Sequence, residues 1–215
     1  TYDVHNYGKM VRHLKATDAM GKELTVKQLG LNRWRVYKAK KLYKISYWVD
    51  DTFDDENSKD IFEPAGTCFD EDIFLLNNFG IIGYIKGYKN LQFDLTVVKP
   101  DGFYGSTAMQ AEVGDTSDFY SVENYFTLHD NPIMYNVPDT ASHVVGGAKV
   151  LVSVYSPANV VNSAKCIEDI TKVLDAAADY LGGDLPVEKY AVLIYTVPLE
   201  DAGSSYGALE HQKST

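Results

Sequence analysis

The sequence predicts a mainly β chain with some α: an antiparallel, sandwich-like sheet domain followed by the opening helix and strands of an α+β domain. Three observations predict it. Turn signals recur roughly every ten residues from about Met10 to Tyr155, among them Asp18-Ala19-Met20-Gly21, Leu29-Gly30, Pro100-Asp101-Gly102 and Val145-Gly146-Gly147. The stretches between them alternate apolar and polar residues. One run near the end of the chain instead repeats its apolar residues at helical spacing.

The elements follow in order. Trp34 and Val36 begin the alternation, and Tyr43, Ile45, Tyr47 and Val49 continue it against Lys44, Ser46 and Trp48. Period two places one set of side chains on each face, so a half-buried strand is expected. Positions 50 to 72 form a loop rich in acids, and Phe74 to Tyr88 is an irregular apolar excursion cut by Gly80, Gly83 and Gly87. Leu91, Phe93, Leu95 and Val97 alternate with Gln92, Asp94 and Thr96, and Val150, Val152 and Val154 repeat the pattern. At Ser156-Pro157 the character changes. Asn162 or Ser163 can cap a helix from about Ala164 to Leu181, whose Ile167, Ile170, Leu174, Ala177 and Leu181 share one face and which Gly182-Gly183 stops. Tyr190 to Val197, rich in β-branched and aromatic residues, reads as a strand, and a loop leads on to Gly207. A domain boundary is expected at 156/157, giving domains 1–156 and 157–215.

Composition narrows the function. The 215 residues are 45% apolar, with 16 Tyr and 9 Phe, enough for a buried core. A formal charge of −10 repels phosphate backbones and anionic headgroups, so neither nucleic acid nor a membrane is an expected partner. No apolar run approaches the ~20 residues that span a bilayer. Cys68 and Cys166 lack metal or redox spacing and are expected to be buried thiols.

Several motifs dissolve on inspection. Gly203-Ser204-Ser205-Tyr206-Gly207 fits G-x-S-x-G, but a nucleophile elbow needs a strand running straight into it and an acid and base after it, and only His211 follows. Asp50 as the first residue of a calcium loop puts Ile61 where the twelfth-position Glu belongs. Gly80, Gly83 and Gly87 lack the strand-to-helix setting of a phosphate cradle and read as turn glycines. His5, His13, His129, His143 and His211 include no pair at zinc-ligand spacing, so neither a metal ligand nor a catalytic residue is assigned.

The segment from Gly207 to Glu210 differs in kind. Small side chains at Gly207 and Ala208, with Leu209, suit an extended segment that accepts a peptide as an added strand. A carboxylate at Glu210 could then bind the peptide's leading ammonium by a charge-assisted pair. An ordinary strand with an exposed Glu is the alternative.

These residues and several others resemble the glycyl aminopeptidase family of zinc peptidases. Gly207-Ala208-Leu209-Glu210-His211 is similar to that family's substrate strand. Phe62-Glu63-Pro64-Ala65-Gly66-Thr67, Leu76-Asn77-Asn78, Gly83-Tyr84, Lys99-Pro100-x-Gly102-Phe103-Tyr104-Gly105 and Asp130-Asn131-Pro132-Ile133 are similar to its N-terminal β domain, and Thr1-Tyr2-Asp3 to the tail of its Pro-Gly-(Ser/Thr)-Tyr motif. The resemblance implies that the second domain opens a thermolysin-like catalytic domain. It implies a parent enzyme that uses zinc to remove small amino-terminal residues, glycine or alanine, from peptides. Gly207, Ala208, Leu209 and Glu210 would bind substrate, and the zinc motif would lie beyond Thr215. On this reading the piece is truncated at both ends, is inactive alone, binds no zinc itself, and could associate with another chain through incomplete sheet edges. A periplasmic or secreted setting is favoured over the cytoplasm. A non-catalytic β module for binding or adhesion, or an inactive peptidase homologue, is the competing reading.

Overall fold

The computed structural model describes residues 5–53, 58, 61–198 and 207–215. The chain forms two compact units, Thr1–Thr67 and Cys68–Thr215, and is mainly antiparallel β with few helices, as expected.

In the first unit, β1 (Val11–Thr17) lies between β2 (Glu23–Leu24) and β5 (Lys44–Val49), and β3 (Val26–Gly30) pairs with β4 (Arg33–Val36). The Asp18 turn forms because its carboxylate accepts the amides of Met20 and Lys22, with Gly21 at φ 80° closing it. The alternation in β5 is only partly realised. Tyr47 and Val49 are half-buried, but Tyr43 and Ile45 are exposed. Period two identifies a face; a second layer must still cover it.

Among the described residues, the second unit holds three sheets. Strands β6 (Cys68–Phe69), β7 (Ile73–Leu76), β9 (Tyr104–Ser106) and β12 (Ile133–Asn136) form an antiparallel sheet in the order β6-β7-β12-β9. Strands β8 (Phe93–Val98), β10 (Glu112–Val113) and β11 (Ser117–Val122) form another, ordered β10-β11-β8. All four residues of β12 are buried. Tyr120 and Tyr135 meet hydroxyl to hydroxyl at 2.8 Å within a cluster of Leu76, Tyr125, Leu128 and Ile133. Gly105 is required there, because a Cβ would lie 2.6 Å from the Tyr120 hydroxyl and 2.7 Å from the Tyr135 ring.

The irregular stretch after β7 contains one short helix, α1 (Asn78–Ile81), and a second, α2 (Tyr125–His129), is capped by Asn124, whose side chain accepts the Thr127 amide. Buried Asn78 donates its amide to the carbonyls of Leu128 and Asn131, at 3.1 and 2.7 Å. Two of the family-like motifs, Leu76-Asn77-Asn78 and Asp130-Asn131-Pro132-Ile133, are thereby joined. Gly80 lies inside α1 rather than in a turn, while Gly87 takes φ 92°.

The third sheet contains β13 (Thr140–Val145), β14 (Ala148–Tyr155) and β15 (Lys189–Tyr195). The first two form an antiparallel hairpin, but β14 and β15 run parallel, and the crossover between them is α3 (Ser163–Leu181). Asn162 caps α3 by accepting the Lys165 amide, and Gly182 ends it at φ 100° with the Gly183 amide returning to the Ala178 carbonyl. Cys166, Ile167 and Ile170 pack on Val152, Val154 and Val192.

Two expectations are corrected here. Residues 150 to 154 are buried on both faces instead of alternately, because β14 is the centre strand of this sheet and its Ser153 hydroxyl meets Ser106 at 2.8 Å. Cys166 is half-buried, whereas Cys68 is buried; both are thiols and not a disulfide. Among the described residues, no helix is long and apolar enough to cross a membrane.

Candidate functional site

Residues 213–215, just after the expected substrate segment, run alongside β15. Sheet pairing thus begins later than the sequence suggests. The Ala191 amide donates to the Lys213 carbonyl and the Thr215 amide to the Ala191 carbonyl, both at 3.0 Å, and the Leu193 amide reaches the Thr215 carbonyl at 2.8 Å. This makes a parallel bridge between Ala191 and Ser214. Gly207, Ala208, Leu209 and Glu210 are not in a strand; the expected extended pairing over these four residues is replaced by a tight return over 209–215. The return is closed by the His211 amide on the Ser214 carbonyl at 2.8 Å and the Thr215 hydroxyl on the Leu209 carbonyl at 3.3 Å. The bond to the Leu209 carbonyl takes up one backbone acceptor of the expected strand.

Asp130 fixes this return from outside. One carboxylate oxygen lies 3.3 Å from His211 Nδ1, and the other accepts the Gln212 amide at 3.1 Å. The His211 side chain is only 7% exposed and its ring centroid lies 6.1 Å from that of Phe79. Burial holds the His211 pKa below its usual value, against the pull of Asp130, which favours the imidazolium. Burial lowers the neighbouring His129 in the same way.

Gly207, Ala208 and Glu210 are exposed and Leu209 is half-buried. Glu210 lies near enough to Tyr190 for its charge to add to the effect of burial, which raises the phenol's pKa. The geometry therefore offers an accessible carboxylate next to a residue pair anchored to the body of the unit. Among the described residues, no group of three His, Cys, Asp or Glu could hold a metal ion. Positions 203–206 of the G-x-S-x-G match, positions 54–57 of the acidic loop, and Thr1-Tyr2-Asp3 lie outside the described residues.

Sequence reasoning missed the role of Asp130. It appears in a family-like motif, but its partners are 81 and 82 positions away, and no local pattern marks such a contact.

The chain belongs to the Peptidase M61 N-terminal domain family, whose profile matches residues 1–136. Its fold is similar to the aminopeptidase N family protein of Idiomarina loihiensis, with a TM-score of 0.80 and 21% identity over 100% of this chain and 35% of that one. A more distant likeness, TM-score 0.50 at 10% identity, is to a mutant M1 zinc metallopeptidase of Deinococcus radiodurans bound to a Tyr-Ser-Ala substrate, over 87% of this chain and 49% of that one. No curated protein matches the sequence. The chain thus spans about a third of the length of the Idiomarina protein.

Proposed function

We propose that this chain is the substrate-anchoring part of a zinc aminopeptidase, with Glu210 binding the α-ammonium of peptides that begin with glycine or alanine. The observation that carries the reading is the Asp130 clamp: a fixed carboxylate holds His211 and Gln212, the residues directly after Glu210. Positioning of this kind makes an exposed carboxylate a directional receptor, because the backbone next to it is already ordered before ligand arrives. Gly207, Ala208 and Leu209 would lie along the peptide backbone, where small side chains permit close approach.

Zinc bound in the intact enzyme would supply Lewis-acid chemistry toward the scissile carbonyl and water. On this reading, the contribution of Gly207, Ala208, Leu209 and Glu210 is to bind and orient the peptide. The family profile ends at residue 136, and the sheet that follows includes both β13 and β15. The boundary proposed at 156/157, giving domains 1–156 and 157–215, stands as part of this reading.

The test is steady-state hydrolysis of glycyl and alanyl peptides by the full-length enzyme. Glu210→Gln is expected to lower kcat/KM by about 10- to 100-fold, the loss of one hydrogen-bonded charge pair. An unchanged kcat/KM would remove Glu210 from the anchoring role.

A further inference from the structure

A second polar site lies in the third sheet, away from the Glu210 segment. The parallel register of β14 and β15 sets Lys149 directly opposite Lys189. A cavity of about 150 Å³ opens there, lined by both lysines with Thr140, Ser142, Tyr104 and Leu151. At about 30 Å³ per water, it has room for a small ion and part of its hydration.

Like charges placed directly across a strand pair repel each other. None of the ion pairs among the described residues involves Lys149 or Lys189. This occurs in a chain with 30 acidic and 20 basic residues, where a carboxylate would be the easiest neighbour to supply. The Lys189 ammonium donates to the Met109 carbonyl at 3.2 Å, and an ammonium carries three donors, so two remain to serve a ligand. Burial first, and then the Lys149 charge, hold the Lys189 pKa below the usual lysine range.

We propose that this cleft binds a small oxyanion of the phosphate class, bridged by the ammonium groups of Lys149 and Lys189 with Thr140, Ser142 and Tyr104 at its wall. A dianion neutralises both like charges at once and supplies several acceptors to fixed donors. A monovalent carboxylate leaves half of the repulsion in place.

The experiment is a thermal-unfolding titration of the full chain with inorganic phosphate at neutral pH and constant ionic strength, with acetate as the comparison anion. The expected result is a saturable rise in Tm with phosphate, as binding to the folded state requires, and a much smaller rise with acetate. Lys189→Met should abolish the phosphate response, and Lys149→Gln should weaken apparent affinity by about tenfold or more. Lys165→Gln, an exposed lysine on α3, should retain the full response. If Lys189→Met does not fold, Lys149→Gln decides the matter, since Lys149 is exposed. The proposal is overturned by a wild-type protein with no saturable response, by equal responses to phosphate and acetate, or by a Lys149→Gln response equal to that of Lys165→Gln.

Discussion

Lys99 and Lys189 both belong to the second unit, and their surroundings treat positive charge in opposite ways. Lys99 lies just past β8 with its ammonium 2.7 Å from Asp118, the two side chains 4% and 1% exposed. Lys189, half-buried, faces another lysine. Asp118 is further tied to the Gly114 amide at 3.3 Å, although its second carboxylate oxygen has no hydrogen-bond partner. The first arrangement closes its electrostatics inside the protein, at the cost of desolvating two ions. The second leaves its charge for an external ion to balance. The contrast separates a structural ion pair from a receptive one, although both are lysines on sheet margins.

The largest effect is expected where the closed arrangement is broken. Lys99→Met leaves Asp118 buried without its partner, and should cost about 3–5 kcal/mol in urea unfolding. Adding Asp118→Leu to that variant should recover most of the loss. A single-variant cost below about 1 kcal/mol would erase the distinction between the two lysines.

Asp130 stands between these extremes, since its partner His211 is charged only when protonated. Asp130→Asn should loosen the 209–215 return, costing about 1 kcal/mol locally. Hydrogen exchange at Gln212 and Ala191 would then accelerate several-fold, with the core of β12 unchanged. The pKa of His211 is lower in the folded state than in the unfolded chain, so its contribution to stability is present above about pH 6.5 and is lost as pH falls through the folded value. His211→Gln should flatten that acid-side loss in a pH series of chemical denaturations. His129, also lowered, should leave a residual slope.

The smallest effect is expected at the open pair. Lys189→Met should change stability at neutral pH by no more than about 1 kcal/mol, because loss of the bond to the Met109 carbonyl is offset by removal of an unfavourable charge from a retained stem. The folded-state pKa of Lys189 is lowered, so the unfolded chain holds the proton to higher pH, and stability attributable to this group rises as pH climbs toward the ordinary lysine range. The variant should lose that rise. A variant as damaging as Lys99→Met would show that Lys189 belongs to the closed class after all.

Local chemistry made much of this molecule readable. The limits of α3 follow from a capping Asn, an apolar face at 167, 170 and 174, and a Gly-Gly stop, and the structure places the helix at Ser163–Leu181. In β8 the alternation of Phe93, Leu95 and Val97 with Asp94 and Thr96 reproduces its pattern of half-buried and exposed residues. These features depend on interactions within a few residues, and their periods are written in the chain.

Burial on both faces of β14, the return over 209–215 in place of a strand at Gly207–Glu210, the Asp130 clamp and the Lys149–Lys189 pair were decided by tertiary structure. Each depends on which segments become neighbours. Parallel pairing through a helical crossover joins residues 40 positions apart at Lys149 and Lys189, and the carboxylate of Asp130 reaches 81 positions to His211. A sequence period specifies which side chains share a face, whereas what stands opposite that face is chosen by packing and by the pairing of most buried polar groups.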